Sequence, residues 1–497
     1  MEFFLGDVVS QRSVIYVTLA LLHFGGLCIY RLFLHPLARV PGPSLAACTK
    51  LYQTYYSRKY FEQIGILHDV YGPVVRICPN EIHLADPANY DRIYHVGSTY
   101  TKDPVYYDLT NVPLSTFGAV DHEVHRIRRS ALNPMFSRKM VTYLEPVIQE
   151  KVQTFCTRVQ EALDRNVPFD LHHGFRAVST DVASHYAFDK SFNLLDHEDL
   201  GATFHGHVTG VGPSIWMFQL STILREIAMA LPESLVTSCS SSLKAVYHLR
   251  DSFAREIDAI RERLQHQGRP ERPTIFTTLL DPEVKPAGFV PPSTPALTDE
   301  AFSIIFAGSD TSGNAMTVAA FHTLRTPEIY ARLTSELMAR FPDVNVPLAY
   351  TDLEPLPYLS AVIKEALRLS FGVPGRLPRV VPEPGATFNG YFVPAGTIVG
   401  MSSWTMHRDS QVFPDPMRFD PERWLELGAV RHLDRNMVPF SKGTRQCGGM
   451  QLAYAELYVT LGTFFRRFPN LKVYKTEPRD MEYVDAIVSS SRHVLGA

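Results

Sequence analysis

Phe440-Ser441-Lys442-Gly443-Thr444-Arg445-Gln446-Cys447-Gly448-Gly449 is the stretch on which the reading of this chain turns. It ends where a long, helix-patterned apolar run begins, close to the C-terminus. Glycines around the cysteine let the backbone bend tightly and let a large flat ligand lie against it. A helix that starts just after the cysteine points unpaired N–H groups, and the positive end of its dipole, back at the sulfur. Those features favour a thiolate over a thiol. Taken alone, a single cysteine at a helix start is more often a small buried apolar residue. The alternative is a soft, anionic, singly presented sulfur, which suits the axial position on a haem iron. The upstream chain decides between the two.

The chain has 497 residues, 45% hydrophobic and 20% charged, which is ordinary globular composition with material for a sizeable core. A formal net charge of -3 argues against a nucleic-acid binder. The six cysteines are widely scattered and form no CxxC pair, so neither a zinc site nor a disulfide scaffold is indicated. That usage fits a reducing compartment. No internal repeat or low-complexity tract is present.

Residues 14–30 form an apolar run broken only by Thr18 and His23, and Leu32 and Leu34 extend it toward the roughly 20 residues a membrane span needs. Early acids (Glu2, Asp7) and the lack of a small-residue cleavage site disfavour a signal peptide. Arg31, His35 and Arg39 follow the run and place its C-terminal side in the cytoplasm. Pro36 and then Pro41-Gly42-Pro43 form a stiff hinge. Downstream, residues 51–71 read as helix, and residues 74–77 and 81–84 as two strands around a Pro79-Asn80 turn. Residues 97–120 read as a long aromatic-bearing loop, a usual place for binding.

A basic helix follows, carrying His125, Arg126, Arg128 and Arg129 and closed by Pro134. A charge run of this kind is usually a solvated face. Arg126 and Arg128, with Arg138 and Lys139, would suit an acidic electron-donor protein. Amphipathic helices are predicted over 140–163 and 243–264. Residues 201–232, with Phe204, Trp216, Met217, Phe218 and Leu220, read as mobile apolar helices roofing a pocket.

Thr298 is predicted to cap a long central helix that runs to Thr326-Pro327, with Asp299 and Glu300 in its first turn. Gly308 costs a helix interior about 1 kcal/mol relative to Ala. Ser309, Asp310, Thr311 and Ser312 beside it offer side chains that bond to the backbone and open the helix locally. The plain alternative is an ordinary kink. The functional one is room for O2 and water, with a carboxylate (Asp310) and a hydroxyl (Thr311) to handle protons. Further on, Glu365 and Arg368 lie one helical turn apart on one face. Gly375-Arg376-Leu377-Pro378-Arg379 follows, then Phe419-Asp420-Pro421-Glu422-Arg423-Trp424.

Phe440, Gly443, Arg445, Cys447 and Gly449 match the cysteine-ligand loop of the cytochrome P450 family. The upstream elements stand in that family's order, so the chain resembles a eukaryotic membrane-bound P450. The resemblance implies a mainly α fold with small β-sheets: one haem-thiolate domain over residues 36–497 behind a membrane anchor over residues 1–35. It implies haem b with Cys447 as axial ligand and Arg445, Arg379 and Arg129 on the propionates, Arg376 being the alternative to Arg379. His125 departs from the family's tryptophan but remains a donor to a propionate, and Phe440, Gly449 and Ala453 would lie against the porphyrin. Glu365, Arg368 and Arg423 would form a buried structural network. Thr311 would hydrogen-bond dioxygen, and Asp310 would pass protons from solvent. Phe117, Phe218, Ala307 and Val373 would line the substrate pocket.

The implied activity is insertion of one oxygen atom of O2 into a lipophilic molecule. Electrons would come from NADPH through cytochrome P450 reductase, with cytochrome b5 as a second donor, because no Gly-x-Gly-x-x-Gly dinucleotide segment is present. The implied location is the endoplasmic reticulum membrane. The texture around His125 and Ser441 is similar to fungal secondary-metabolism P450s, among them terpenoid-oxidising, trichodiene oxygenase-like members. A P450-fold isomerase, dehydratase or desaturase, and a haem sensor or electron carrier, remain as alternatives; the Asp310-Thr311 pair counts against the first group.

Overall fold

Side-chain caps set where most of the long helices begin. The computed structural model describes residues 2–210, 218, 222–281, 291–426, 428, 430–486 and 488–491. The first helix, α1 (Glu2–Ile29), runs on through a π-helical turn (Tyr30–Leu34). Asp121 accepts from the Val124 N–H at 2.8 Å and opens α2 (His122–Leu132). Ser137 caps α3 (Arg138–Asp164), and Asp170 caps α4 (Leu171–Phe188). The next helices are α5 (Ala202–Thr209), α6 (Ser241–Gln267) and α7 (Thr294–Arg325). Two more, α8 (Pro357–Ser370) and α9 (Met450–Arg467), complete the principal set.

The 32-residue α7 is the axis of the molecule and packs against α4, α6, α8 and α9. One continuous apolar core joins these helices, with Phe155, Phe175, Ile305, Leu359 and Phe464 buried in it. A five-stranded sheet lies beside the helical body in the order β1 (Val74–Cys78), β2 (Glu81–Leu84), β7 (Ile398–Gly400), β4 (Arg379–Val380), β3 (Thr101–Lys102). The Asn389-Gly390 hairpin pairs β5 (Ala386–Phe388) with β6 (Tyr391–Val393), as its turn residues predict. A last hairpin pairs β8 (Tyr483–Ala486) with β9 (Val488–Ser491). The architecture is mainly α with small sheets, as the sequence implied.

Residues Val14–Leu34 form the one helical stretch, among the described residues, long and apolar enough to cross a membrane; none of it is buried. It is tied to the body at its end. Arg31 Nη1 donates to the Cys48 carbonyl at 2.5 Å, and Arg76 Nη1 donates to the Arg31 carbonyl at 2.7 Å.

Three expectations are corrected. The helix read over 51–71 breaks at Ser57, which takes a positive φ of 44°, into Leu51–Tyr56 and Tyr60–Tyr71. Ser293, not Thr298, caps α7, one turn earlier. Asp299 and Glu300 are therefore past the first turn and bind a loop instead: Leu114 N–H donates to Asp299 at 3.0 Å, and Thr116 N–H and Oγ1 donate to Glu300 at 2.6 and 2.8 Å. Finally, α7 stays α-helical through Gly308. The hydroxyls do bond to the backbone, Thr311 Oγ1 donating to Ala307 O at 2.7 Å and Ser309 Oγ to Ile305 O at 2.5 Å, but the helix does not open around them.

Candidate active site

The Cys447 loop is built by contacts to residues far upstream. Cys447 N–H donates to Phe440 O at 2.9 Å, closing the loop on itself. Thr444 N–H reaches His95 O at 3.4 Å, and Gly97 N–H donates to Thr444 Oγ1 at 2.9 Å. Gly443 sits at φ 74°, and a Cβ there would collide with the His95 backbone. Gly443→Ala is therefore expected to cost about 2–4 kcal/mol from left-handed strain plus overpacking. A lower denaturant midpoint for the purified holoenzyme checks it.

Cys447 has open surface, yet it lies deep among α2, α9 and the loop. The two facts agree if that surface faces an internal cleft rather than the outside. Burial pushes the thiol up; the Gly449 N–H, the Arg129 charge and the Met450 N–H pull the other way. The Gly449 and Met450 N–H groups are the helix-start donors expected from the sequence, but burial outweighs them and the thiol stays raised, against the expected thiolate. Arg129 lies directly against the loop: a Cβ on Gly448 would come within 2.6 Å of its Nη1. Phe440 is half-buried with its ring 5.3 Å from Tyr454, and Gly449 and Ala453 keep open surface at the start of α9. On α7, Ala307 is exposed and Thr311 half-exposed, although Ser309, Asp310 and residues 312–321 are buried. Val373 is half-exposed on the α8–β4 connection. Phe117 keeps 39% of its surface open. Phe218 is half-buried, while Trp216, Met217 and Leu220 lie outside the described residues.

The electrostatics point to a dianionic ligand. Arg379 is buried; its Nη1 donates to Tyr107 OH at 2.8 Å and Pro378 O at 2.9 Å. Arg445 donates to Ala119 O at 2.5 Å, Val120 O at 2.9 Å and Asp121 O at 3.1 Å. Its Nε is buried without a partner, as is Nδ1 of His125. Lys102 is buried too, and it stands directly opposite Arg379 in the β3–β4 register. Among the described residues no carboxylate lies within ion-pair distance of Lys102, Arg129, Arg379 or Arg445. Like charges opposite each other on paired strands are destabilising by themselves. Burial, then Arg445, Lys102 and Arg129, hold His125 down at about 3. Burial, then Arg379, holds Arg445 down at about 10. Four cations and an unsatisfied imidazole nitrogen around one cleft fit the two carboxylates of a haem, beside a thiol that fits its iron. Arg376 is committed elsewhere, in a buried ion pair with Glu81.

Three readings of individual residues change. Asp310 does not face solvent; it is buried against Arg176 of α4, with Arg176 Nε at 2.7 Å and His205 Nδ1 of α5 at 3.9 Å. Neighbouring helical residues diverge by about 100°, so Asp310 and Thr311 serve different surroundings. Arg128 turns inward to Pro113 O at 3.2 Å and Ser115 O at 2.9 Å rather than joining an outer docking face. Arg126 and Arg138 are exposed but paired with Glu123 and Glu354, and Lys139 is exposed. The sequence reading also missed Lys102, Trp424 and Glu456. Glu456 lies on α9 between the hydroxyls of Ser312 and Ser179, and burial lifts it to about 8. Two surface hollows, of 250 and 510 Å³, include no residue of this cleft.

The Glu365 network forms as implied. Arg368 donates from Nε and Nη2 to Glu365 at 2.9 and 2.8 Å, and Arg423 Nε donates at 3.1 Å. Trp424 Nε1 and the Asp420 N–H add two more donors at 2.9 Å each. Burial would raise the Glu365 carboxyl, but the Arg368 hydrogen bonds and the Arg368 and Arg423 charges hold it low. His407 connects this network to the cysteine loop, with Nδ1 on Arg368 O and Nε2 accepting from Val438 N–H, both at 2.9 Å.

Together the thiol loop, the uncompensated cations and the buried Glu-Arg-Arg network define a haem-thiolate protein. The chain matches the Cytochrome P450 family over residues 40–493 and belongs to it. It is 37% identical to the tryptophan 6-hydroxylase fscE of Fusarium equiseti over 492 residues, covering 96% of this chain and 94% of that one. It is 32% identical to the cytochrome P450 monooxygenase TRI4 of Fusarium sporotrichioides, with coverage of 98% and 94%. It is 35% identical to the N-acetyltryptophan 6-hydroxylase ivoC of Emericella nidulans, with coverage of 91% and 90%. The protein is a cytochrome P450 monooxygenase, an oxidoreductase of a haem-bearing family, and the relatives compared above are fungal.

Proposed function

We propose that this chain binds haem b and inserts one oxygen atom of O2 into a lipophilic secondary metabolite, a terpenoid or a related skeleton. The observation that carries the reading is the open, apolar surface at Ala307, with the half-buried Thr311 hydroxyl one turn on, just before α7 becomes continuously buried from Ser312 to Phe321. When bound, the haem supplies O2 activation and oxygen transfer. Cys447 would hold its iron; Arg129, Arg379, Arg445, Lys102 and His125 would hold its carboxylates. Phe117, Ala307, Val373 and Phe218 would form apolar walls, and such walls orient substrate by shape and exclude water. The Thr311 hydroxyl, which donates to Ala307 O in this structure, would turn from that bond toward the reaction side, and Asp310, held by Arg176, would pass protons from behind α7. NADPH–cytochrome P450 reductase would deliver electrons, with cytochrome b5 as the second donor. Residues 1–35 would anchor the domain formed by 36–497 to the endoplasmic reticulum membrane, with Arg31 and Arg39 keeping it cytoplasmic.

A second reading, oxidation of a tryptophan derivative, is favoured by the names of two relatives. Co-expression with a reductase, fed terpenes on one arm and tryptophan and N-acetyltryptophan on the other, separates them. Product from the terpene arm supports the first reading, and product confined to the indole arm replaces it. Thr311→Ala is expected to lower product formed per NADPH by about 10²-fold, the scale of a lost general-acid contact. Its substrate-binding spectrum should stay as in the wild type.

A further inference from the structure

Lys102 contributes to two structures at once. Its Nζ donates to Phe117 O at 2.5 Å and lies over the rings of Tyr107, at 4.1 Å, and Phe117, at 4.3 Å. It is also the strand partner of Arg379, whose Nη1 bonds to the same Tyr107 at 2.8 Å. The Tyr107 and Phe117 rings meet edge-on at 5.6 Å. The preceding loop residues are clamped independently, Leu114 and Thr116 by Asp299 and Glu300, and Ser115 by Arg128. Phe117 lies between those clamps and the Arg445 hydrogen bonds to Ala119 and Val120, and Lys102 holds the Phe117 carbonyl and ring. Lys102 lies 5% exposed among Arg379 and Arg445 with no carboxylate. An ammonium in that position is favoured only when an anion joins the cluster. Without one, the charge that polarises both the Phe117 carbonyl bond and the cation–π contacts is disfavoured.

We propose that Lys102 is a specificity-positioning residue: it joins the haem-carboxylate cluster to Phe117, so that cofactor loading fixes one wall of the substrate pocket. This rests on the haem site argued above. The wall that moves is small, one aromatic ring, so the effect falls on bulky ligands and spares small ones.

The test is a double-mutant cycle on the haem-loaded protein with Lys102→Met, Phe117→Ala and both together. Imidazole and clotrimazole serve as small and bulky iron-directed probes, and binding is read from the shift of the haem absorption band. Lys102→Met is expected to change the ratio of clotrimazole to imidazole Kd by about tenfold, within the range of coupled contact pairs. Phe117→Ala should change it similarly, and the double variant no further. Haem content is expected to fall without vanishing, because three arginines remain, and the Kd ratio is read on the loaded fraction. Should Lys102→Met yield no holoprotein, Lys102→Arg keeps the charge but replaces the compact ammonium with a bulkier planar fork, and it enters the same cycle. Additive effects of the two substitutions would overturn the proposal. So would a fall in haem content with an unchanged Kd ratio, which would make Lys102 a cofactor ligand only. A wild-type protein that takes up no haem would overturn the haem site itself, a different failure.

Discussion

Glu365→Ala is expected to abolish haem loading. The substitution strips one carboxylate from Arg368, Arg423, the Trp424 indole and the Asp420 N–H together. Arg368 has no exposed surface and would retain three backbone carbonyls, His407, Pro416 and Arg418, but no counter-charge. Leaving one partner of a buried ion pair uncompensated costs about 3–5 kcal/mol. That is a large share of the roughly 5–15 kcal/mol by which folded proteins are stable. The damage also has a direction. His407 bonds to the Arg368 carbonyl on one side and to Val438 at the base of the cysteine loop on the other. Loss of α8 order would therefore loosen the loop that carries Cys447. Absorbance at the haem band per unit protein reads the outcome, and a fully loaded variant would remove the network from the account.

The second large effect is at Cys447. Serine keeps the size of the side chain and the Gly449 and Met450 N–H donors around it, but not a soft anionic sulfur. Cys447→Ser is expected to leave the fold intact, since the side chain is small and faces a cleft rather than the packed core. Its haem, if retained by the basic cluster, would have a different axial ligand. Monooxygenase activity should fall to background while far-ultraviolet circular dichroism stays as in wild type. Loss of both together would instead make Cys447 a folding residue.

The residues that sequence alone disclosed share a physical property: their partners are local or stand at fixed offsets. Cys447, Arg445 and Gly443 lie in one loop, and Glu365 and Arg368 in one turn of α8. Arg423 is distant, but it rides on a recognisable Phe419-Asp420-Pro421 segment. What was not legible depends on pairing between distant elements. Lys102 looks like an isolated base in a loop until β3 pairs with β4 and sets it opposite Arg379. Asp310 looks like a partner for its neighbour Thr311 until α4 packs on α7 and delivers Arg176.

Helix α4 carries three polar residues, His172, Arg176 and Asp181, whose partners no local spacing discloses, and all three are buried. Each has found an interior partner: Thr317 for His172 at 3.2 Å, Asp310 for Arg176, and the Leu194 N–H for Asp181 at 2.8 Å. Asp299 and Glu300 read as helix-start charges because their true use, holding Leu114 and Thr116, depends on a loop nearly two hundred residues away. Trp424 was visible as a motif letter, but its role as a donor to Glu365 appears only in three dimensions.

The most direct measurement is the difference spectrum of the reduced protein with carbon monoxide, taken for wild type and for Cys447→Ser. The red-shifted haem band that marks thiolate ligation is expected in wild type and absent in the serine variant. A wild-type spectrum without that band in a haem-loaded protein, or the same band surviving in Cys447→Ser, would contradict Cys447 as the ligand.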